Sequence, residues 1–131
     1  MIIEQRYRME RGAAARARQA LDVLSAELPP RVLENLRLLV SELVTNSIRH
    51  APRRAGWIAM RVESSPSAVR VEVSDPGLGF DVPQHQPDLT STSGWGLFLV
   101  GELADRWGVE DEPTTRVWFE IDLASDPSSV P

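Results

Sequence analysis

The chain has 131 residues, of which 42% are hydrophobic and 25% charged, and this composition fits a single soluble domain with one core. It contains no cysteine, which excludes disulfides, thiolate metal sites and cysteine nucleophiles. All fourteen basic residues are arginine. The absence of lysine excludes the Walker-type P-loop, the strand lysine of ordinary protein kinases and Schiff-base chemistry.

The net charge of −5 is unevenly distributed along the chain. The first twenty residues hold five arginines against two glutamates, whereas the region after Gly101 is mostly acidic. The basic stretch is either a solvated face or a surface for docking a partner. Without a dense basic stripe, an apolar run of about 20 residues or the apolar centre of a secretory signal, we expect a cytoplasmic protein that contacts neither nucleic acid nor membrane directly.

Two helices are predicted in the first fifty residues. Residues 2–9 alternate weakly and form a short leading strand. Residues 12–28 have helical periodicity and end at Pro29-Pro30, which cannot continue a helix. The next helix runs over residues 31–50 and ends before Pro52, because a residue preceding proline avoids the helical region. Its apolar stripe consists of Leu33, Leu36, Val40, Leu43 and Val44.

Two polar residues lie beside this stripe. Glu42 and Asn46 are one helical turn apart, and Arg49 continues the same row. A carboxylate and a carboxamide at the edge of a core-facing stripe are costly unless a polar group meets them. A hydrated Mg²⁺ with a phosphate ligand is one such group, since Mg²⁺ prefers oxygen ligands. The alternative is an exposed pair on a solvated helix.

Two strands follow, over residues 57–63 and 69–74. Each alternates apolar and polar residues, which is typical of an antiparallel hairpin with one wet face and helices on the other. The period of two places Asp75 on the same side as Val69, Val71 and Val73. The strand therefore delivers a carboxylate to its buried side, where it needs a hydrogen-bond donor.

Two glycine motifs come next. Gly77 and Gly79 follow Asp75 directly and permit close approach of a ligand to the backbone. After an aperiodic loop over residues 81–93, Gly94 and Gly96 open a helix, whose N-terminal N–H groups are a usual anion site. Taken singly, each motif is a weak signal, because a D-x-G-x-G run is more often an ordinary turn after a strand and G-x-G before a helix is often just a cap.

The end of the chain is predicted to form two closing strands, over residues 107–110 and 116–123. Residues 124–131 form a short disordered tail rich in serine and proline. One domain over residues 1–123 is expected. The predicted fold is an α+β two-layer sandwich, in which three helices cover one face of a mixed, mostly antiparallel sheet.

The order of these motifs carries a family resemblance. E-x-x-x-N on a helix, D-x-G-x-G closing a strand and G-x-G opening a helix resemble the ATP-binding domain of the GHKL superfamily, which includes gyrase, heat-shock chaperones, histidine kinases and mismatch-repair ATPases. Residues 41–51, 103–109 and 115–120 are especially similar to the anti-sigma factor serine/threonine kinases. The likeness extends over residues 6–123 and implies a histidine-kinase-like ATPase fold.

The resemblance implies a role for each matching residue. Asn46 would ligate the Mg²⁺ that bridges the phosphates of ATP, and Asp75 would accept the exocyclic amine of adenine. Thr115 would reinforce Asp75. Glu42 would act as general base toward the attacking hydroxyl or water. The expected nucleotide-binding residues in the glycine motifs, beneath a lid over residues 81–93, are Gly77, Gly79, Gly94, Trp95, Gly96 and Leu97.

The implied function is an ATP-dependent anti-sigma factor that sequesters a sigma factor, phosphorylates an anti-anti-sigma antagonist and forms a homodimer. The sequence departs from the family pattern in two respects. No arginine lies between Arg70 and Arg106, so the basic residue that these kinases often carry in the lid is missing or comes from a partner. Thr114 replaces a common glycine. The alternative function is therefore a non-catalytic, ATP-dependent partner-binding module.

Other functions of the superfamily are disfavoured. A histidine kinase would need a phosphoacceptor helix, and neither His50 nor His85 lies in one. His50 is assigned to capping or packing of its helix, and His85 receives no role. A gyrase-type ATPase would need a transducer domain, for which we expect no room.

Overall fold

The computed structural model describes residues 1–50, 56–74, 92–110 and 116–123. The described elements, in chain order, are β1 (Ile2–Arg8), α1 (Ala13–Ala20), a 3-10 turn (Leu21–Leu24), α2 (Pro30–His50), β2 (Trp57–Ser64), β3 (Ala68–Ser74), α3 (Thr92–Leu103), β4 (Arg106–Glu110) and β5 (Arg116–Asp122). The predicted strands and the helices that begin near residues 31 and 93 are confirmed to within two residues.

The five strands form one sheet in the order β1-β2-β3-β5-β4. Every described strand pair is antiparallel. The turn between β2 and β3 is closed by the Ser65 amide, which donates to the Ala68 carbonyl at 2.9 Å, and the Ser65 hydroxyl donates to the same carbonyl at 3.2 Å. The strand register then places Val62, Val71 and Phe119 in one row across three strands.

The helices cover one face of this sheet. Alternation along β3 buries Val69, Val71 and Val73 toward the helices, as the sequence predicts. The apolar stripe of α2 meets them, and its five predicted members are all buried. The α+β sandwich with a mostly antiparallel sheet is therefore confirmed. The largest side chains that are fully buried are Phe119, Leu21, Leu24, Leu36, Leu39, Ile58 and Met60.

The first helix differs from its prediction. One helix was expected over residues 12–28, but the α-helix ends at Ala20 and a 3-10 turn follows over Leu21–Leu24. Leu21 and Leu24 are both fully buried, and a spacing of three residues puts them on the same side of a 3-10 turn. Core packing of this leucine pair therefore accounts for the tighter winding, and the second half of the predicted helix is wrong.

The opposite face of the sheet carries the polar residues of the same strands. Arg61, Glu72 and Trp118 occupy one row on this side, which we call the open face. No helix within the described residues has the length and apolar character needed to span a membrane. The predicted disordered tail over residues 124–131 lies outside the described residues, so it stays a prediction.

Candidate functional site

Helix α2 carries the predicted catalytic and metal-binding residues on one flank of its buried stripe. Glu42 and Asn46 are both half-buried, while their neighbours Leu43 and Val44 are buried in the core. The carboxamide oxygen of Asn46 is shielded from solvent. The pair therefore lies at the edge of the core, as predicted, rather than on a fully solvated helix face.

Helix α1 supports α2 through polar contacts. The Arg18 guanidinium donates from Nη1 to the hydroxyl of Ser41, next to Glu42, at 2.8 Å. One turn earlier, Arg37 forms an ion pair with Asp22 of the 3-10 turn. These contacts join residues 23 and 15 positions apart, so helical periodicity gives no signal for them. They are exposed contacts that join α2, the helix that carries Glu42, to α1 and to the 3-10 turn.

The ends of the paired strands β3 and β5 adjoin the residues of the predicted adenine site. Ser74, the last residue of β3, is paired with Arg116, the first residue of β5. The predicted site residues Asp75 and Thr115 adjoin this pair in sequence. They lie outside the described residues, together with Gly77 and Gly79. Their assigned roles stay predictions.

The second glycine motif lies within the first half of α3. The helix begins at Thr92, so Thr92 and Ser93 belong to it rather than to the predicted loop over residues 81–93. The first four N–H groups of a helix have no acceptor within it, and they carry the positive end of the helix dipole. Among the described residues, those groups are the N–H groups of Thr92, Ser93 and Gly94. The backbone of the motif is therefore at a helix N-terminus; its members are Gly94, Trp95, Gly96 and Leu97.

Helix α3 packs against α2, so the two helices that carry these site residues are neighbours. Val100 of α3 is fully buried in the shared core. Helix α2 also contacts β3, the strand that leads to Asp75. The described fold thus brings together three of the elements to which the sequence assigns nucleotide contacts.

Arg116 is the described arginine closest in sequence to the predicted adenine site. Its register partners Ser74 and Glu110 place it on the open face, and its Nη1 lies 3.5 Å from a carboxylate oxygen of Glu110. Helix α2, which carries both Glu42 and Asn46, lies on the other face. Arg116 therefore does not replace the arginine that is missing from the lid sequence.

The available metal ligands fit Mg²⁺ better than a transition metal. No group of three or more His, Cys, Asp or Glu side chains among the described residues is placed to hold a metal ion. Mg²⁺ does not require such a cage, because it keeps several waters and takes oxygen ligands from substrate phosphates. The carboxamide oxygen of Asn46 is a ligand of the required type, so the residues present fit a magnesium–nucleotide complex.

Comparisons with known proteins agree with this arrangement. The model of the histidine kinase-like ATPase domain family matches residues 8–121. An anti-sigma F factor of Clostridium botulinum is 34% identical over an alignment of 108 residues, and the match covers 73% of this chain and 75% of that protein. Serine-protein kinase RsbW of Bacillus subtilis is 32% identical over 98 residues, covering 65% of this chain and 61% of the relative.

A second serine-protein kinase RsbW, from Bacillus licheniformis, is 30% identical over 91 residues, covering 60% of this chain and 57% of its own length. The chain thus spans about three fifths of the length of these two kinases. Among solved structures, a blue-light activated histidine kinase of Erythrobacter litoralis superposes with a TM-score of 0.64 at 26% identity. That match covers 89% of this chain and 42% of the histidine kinase.

Proposed function

Since the chain belongs to the histidine kinase-like ATPase domain family, we propose that it is an anti-sigma factor that binds Mg²⁺-ATP and phosphorylates an anti-anti-sigma antagonist. The observation that carries this proposal is the half-buried pair of Glu42 and Asn46 at the edge of the core on α2. The relatives named as serine-protein kinases and as an anti-sigma F factor support it.

The proposed reaction transfers the γ-phosphoryl group of ATP to a serine or threonine hydroxyl of the antagonist. Glu42 takes the hydroxyl proton, the hydroxyl oxygen bonds to the γ-phosphorus, and the bond to the bridging oxygen of ADP breaks. Asn46 would hold the magnesium ion, which would supply positive charge to offset that of the phosphates. Asp75, reinforced by Thr115, accepts the adenine amine.

The helix N-terminus at the second glycine motif contributes to phosphate binding. Its N–H group at Gly94 has no intrahelical acceptor, so it can donate to a phosphate oxygen, and Trp95 follows it in the first turn of the helix. Gly96 and Leu97 continue this contact surface. Gly77 and Gly79 pass close to the base and sugar in the same proposal. A cytoplasmic location and a homodimer belong to the proposal as well.

The decisive experiment is a phosphotransfer assay with ATP, Mg²⁺ and antagonist proteins encoded near the gene. Glu42→Ala should reduce transfer by about 10²–10⁴-fold, because the general base is lost, while ATP still binds. Glu34→Ala is the matched control, since Glu34 is an exposed glutamate on the same helix. Equal transfer by the Glu42 variant and the unmodified chain would remove the general base from the proposal.

A second function is favoured by one observation. No arginine lies between Arg70 and Arg106, and the loss of one arginine contact to the phosphates costs several powers of ten in phosphoryl transfer. The chain would then bind ATP to stabilise one conformation for its partner, without transfer. Tight ATP binding with no phosphate on any antagonist supports this function. Absence of ATP binding contradicts both functions.

A further inference from the structure

Strand β4 lies at the edge of the sheet and is incompletely covered by the helices. Trp107 and Val109 occupy the same rows as Phe119 and Val117, so they face the helix-covered side. Phe119 is fully buried, whereas Trp107 is 42% exposed and Val109 is 43% exposed. The helix layer therefore stops short of this edge and leaves two large apolar side chains partly in water.

Helix α3 extends this apolar surface. The indole nitrogen of Trp107 lies 3.7 Å from the position that a Cβ atom on Gly101 would occupy, so the ring rests against the helix. Phe98 is 42% exposed and lies three residues before Gly101, hence on the same helix face. We call the surface formed by Phe98, Gly101, Trp107 and Val109 the α3–β4 patch.

The surroundings of the α3–β4 patch are acidic. The described residues from Gly101 onward contain five carboxylates and two arginines. Arg106 is bound to Glu120 and Asp122 on the open face. The second arginine, Arg116, has a carboxylate oxygen of Glu110 at 3.5 Å. Three of the five carboxylates, Glu110, Glu120 and Asp122, lie on the open face with these two arginines. This leaves Glu102 and Asp105 as the described carboxylates beside the α3–β4 patch.

Exposed carboxylates complete the rim of the α3–β4 patch. Glu102 follows Gly101 on α3 and has no ion pair among the described residues, and Asp105 immediately precedes β4. The sheet edge that carries β1 differs, because the first twenty residues hold five arginines. The β4 edge thus combines an exposed apolar surface with exposed carboxylates, whereas arginines outnumber glutamates in the first twenty residues.

From these observations we infer that the α3–β4 patch docks the sigma factor through a segment that carries arginine or lysine beside an apolar side chain. This inference rests on the proposed function. A sigma factor binds promoter DNA and therefore needs basic surface for the phosphates. An acidic apolar surface complements such a segment, and its occupancy keeps those basic residues from DNA. Trp107 supplies the aromatic anchor of the interface.

The test uses sigma factors of the same genome, each purified and titrated individually against the whole chain. Trp107→Ala should weaken binding at least about tenfold, because a central aromatic anchor is lost. Glu102→Lys should weaken binding and reduce its dependence on salt, because one attractive charge is reversed. Glu102 is exposed, so this variant keeps the fold even if loss of the Trp107 ring destabilises the chain.

Two matched controls lie in and beside the opposite edge strand. Trp57 is 44% exposed, nearly as exposed as Trp107, and Glu4 is an exposed carboxylate of β1. Trp57→Ala and Glu4→Lys should leave the affinity for the sigma factor within about twofold of the unmodified chain. Glu102→Lys should also leave ATP affinity unchanged.

The outcomes separate this inference from the proposed function. If the unmodified chain binds no sigma factor, the proposed function fails and the inference falls with it. If it binds one and both patch variants bind equally well, the inference alone is wrong. Loss of antagonist binding without loss of sigma-factor binding also overturns it, because the patch then serves the other partner.

Discussion

Neighbouring residues of one strand lie on opposite faces of the sheet and are buried to different extents. On β5, Phe119 points into the helix-covered core and is fully buried, whereas Trp118 points to the open face. On β3, Val71 and Glu72 divide in the same way. Because both faces share one backbone, differences in their stability reflect side-chain surroundings rather than strand geometry.

The open face stabilises a large aromatic ring without a covering helix. The Arg70 guanidinium lies 4.4 Å from the ring centroid of Trp118, and Arg70 is itself paired with Glu72 and Glu120. Gly108 on the adjacent strand leaves room for the indole. On the open face, contacts with a cation and with a glycine thus stabilise the ring in place of burial. The stability of this face depends on strand register and charge, whereas that of the helix-covered face depends on the apolar area removed from water.

The largest expected effect comes from removing a ring from the covered face. Phe119→Ala should lower the free energy of unfolding by about 3–5 kcal/mol, because it leaves a cavity in a fully packed core. Trp118→Ala should cost clearly less, because the indole is only half-buried. Urea denaturation of both variants measures the difference. Equal losses would mean that the open face is as well packed as the core.

The next effect tests the contact between Trp118 and Gly108. A Cβ atom at position 108 would lie 2.7 Å from the indole nitrogen of Trp118, so the ring must move in Gly108→Ala. We expect a loss of about 1–3 kcal/mol, as for other overpacked positions. Gly56→Ala is the matched control, since a Cβ atom there meets nothing within 4 Å.

A double-mutant cycle identifies the cause of this loss. In a Trp118→Ala background the ring is absent, so Gly108→Ala should cost little or should stabilise the strand. An undiminished cost in that background would show that the backbone at position 108, rather than the indole, requires glycine. Urea denaturation of the single and double variants provides the measurement.

The buried residues of the helix-covered face could be predicted from the sequence, whereas the side-chain contacts of the open face could not. A period of two identifies Val69, Val71 and Val73 as buried without knowledge of their neighbours. The pairing of Arg70 with Glu120 joins residues 50 positions apart and depends on the register between β3 and β5. The early end of α1 could not be predicted for a similar reason, because the packing of Leu21 and Leu24 depends on residues distant in sequence.

The candidate site also has features that the sequence predicts and features that depend on tertiary contacts. Helical periodicity places Glu42 and Asn46 beside the buried stripe, and the structure confirms that position. The contact from Arg18 to Ser41 was not predictable, because it depends on how two helices meet. The roles of Asp75 and Thr115 came from family resemblance. They stay predictions, since both residues lie outside the described residues.

The smallest expected effect concerns the charges of the open face. Hydrogen bonds from Arg106 and Arg70 lower the pKa of Glu120, so folding favours its ionised form. The resulting stability is present above the ordinary pKa of 4.5 and is lost as the pH falls toward the lower value in the folded chain. Glu120→Gln should therefore cost about 1 kcal/mol at neutral pH and less in acid.

Thermal melting across a pH series measures this dependence. The difference in melting temperature between the unmodified chain and Glu120→Gln should shrink on acidification, because protonation of Glu120 removes the same charge. Glu63→Gln is the control, since Glu63 is paired only with Arg61 among the described residues and is more exposed. A difference that stays constant with pH would assign the effect of Glu120 to packing, and the open face would then resemble the covered one.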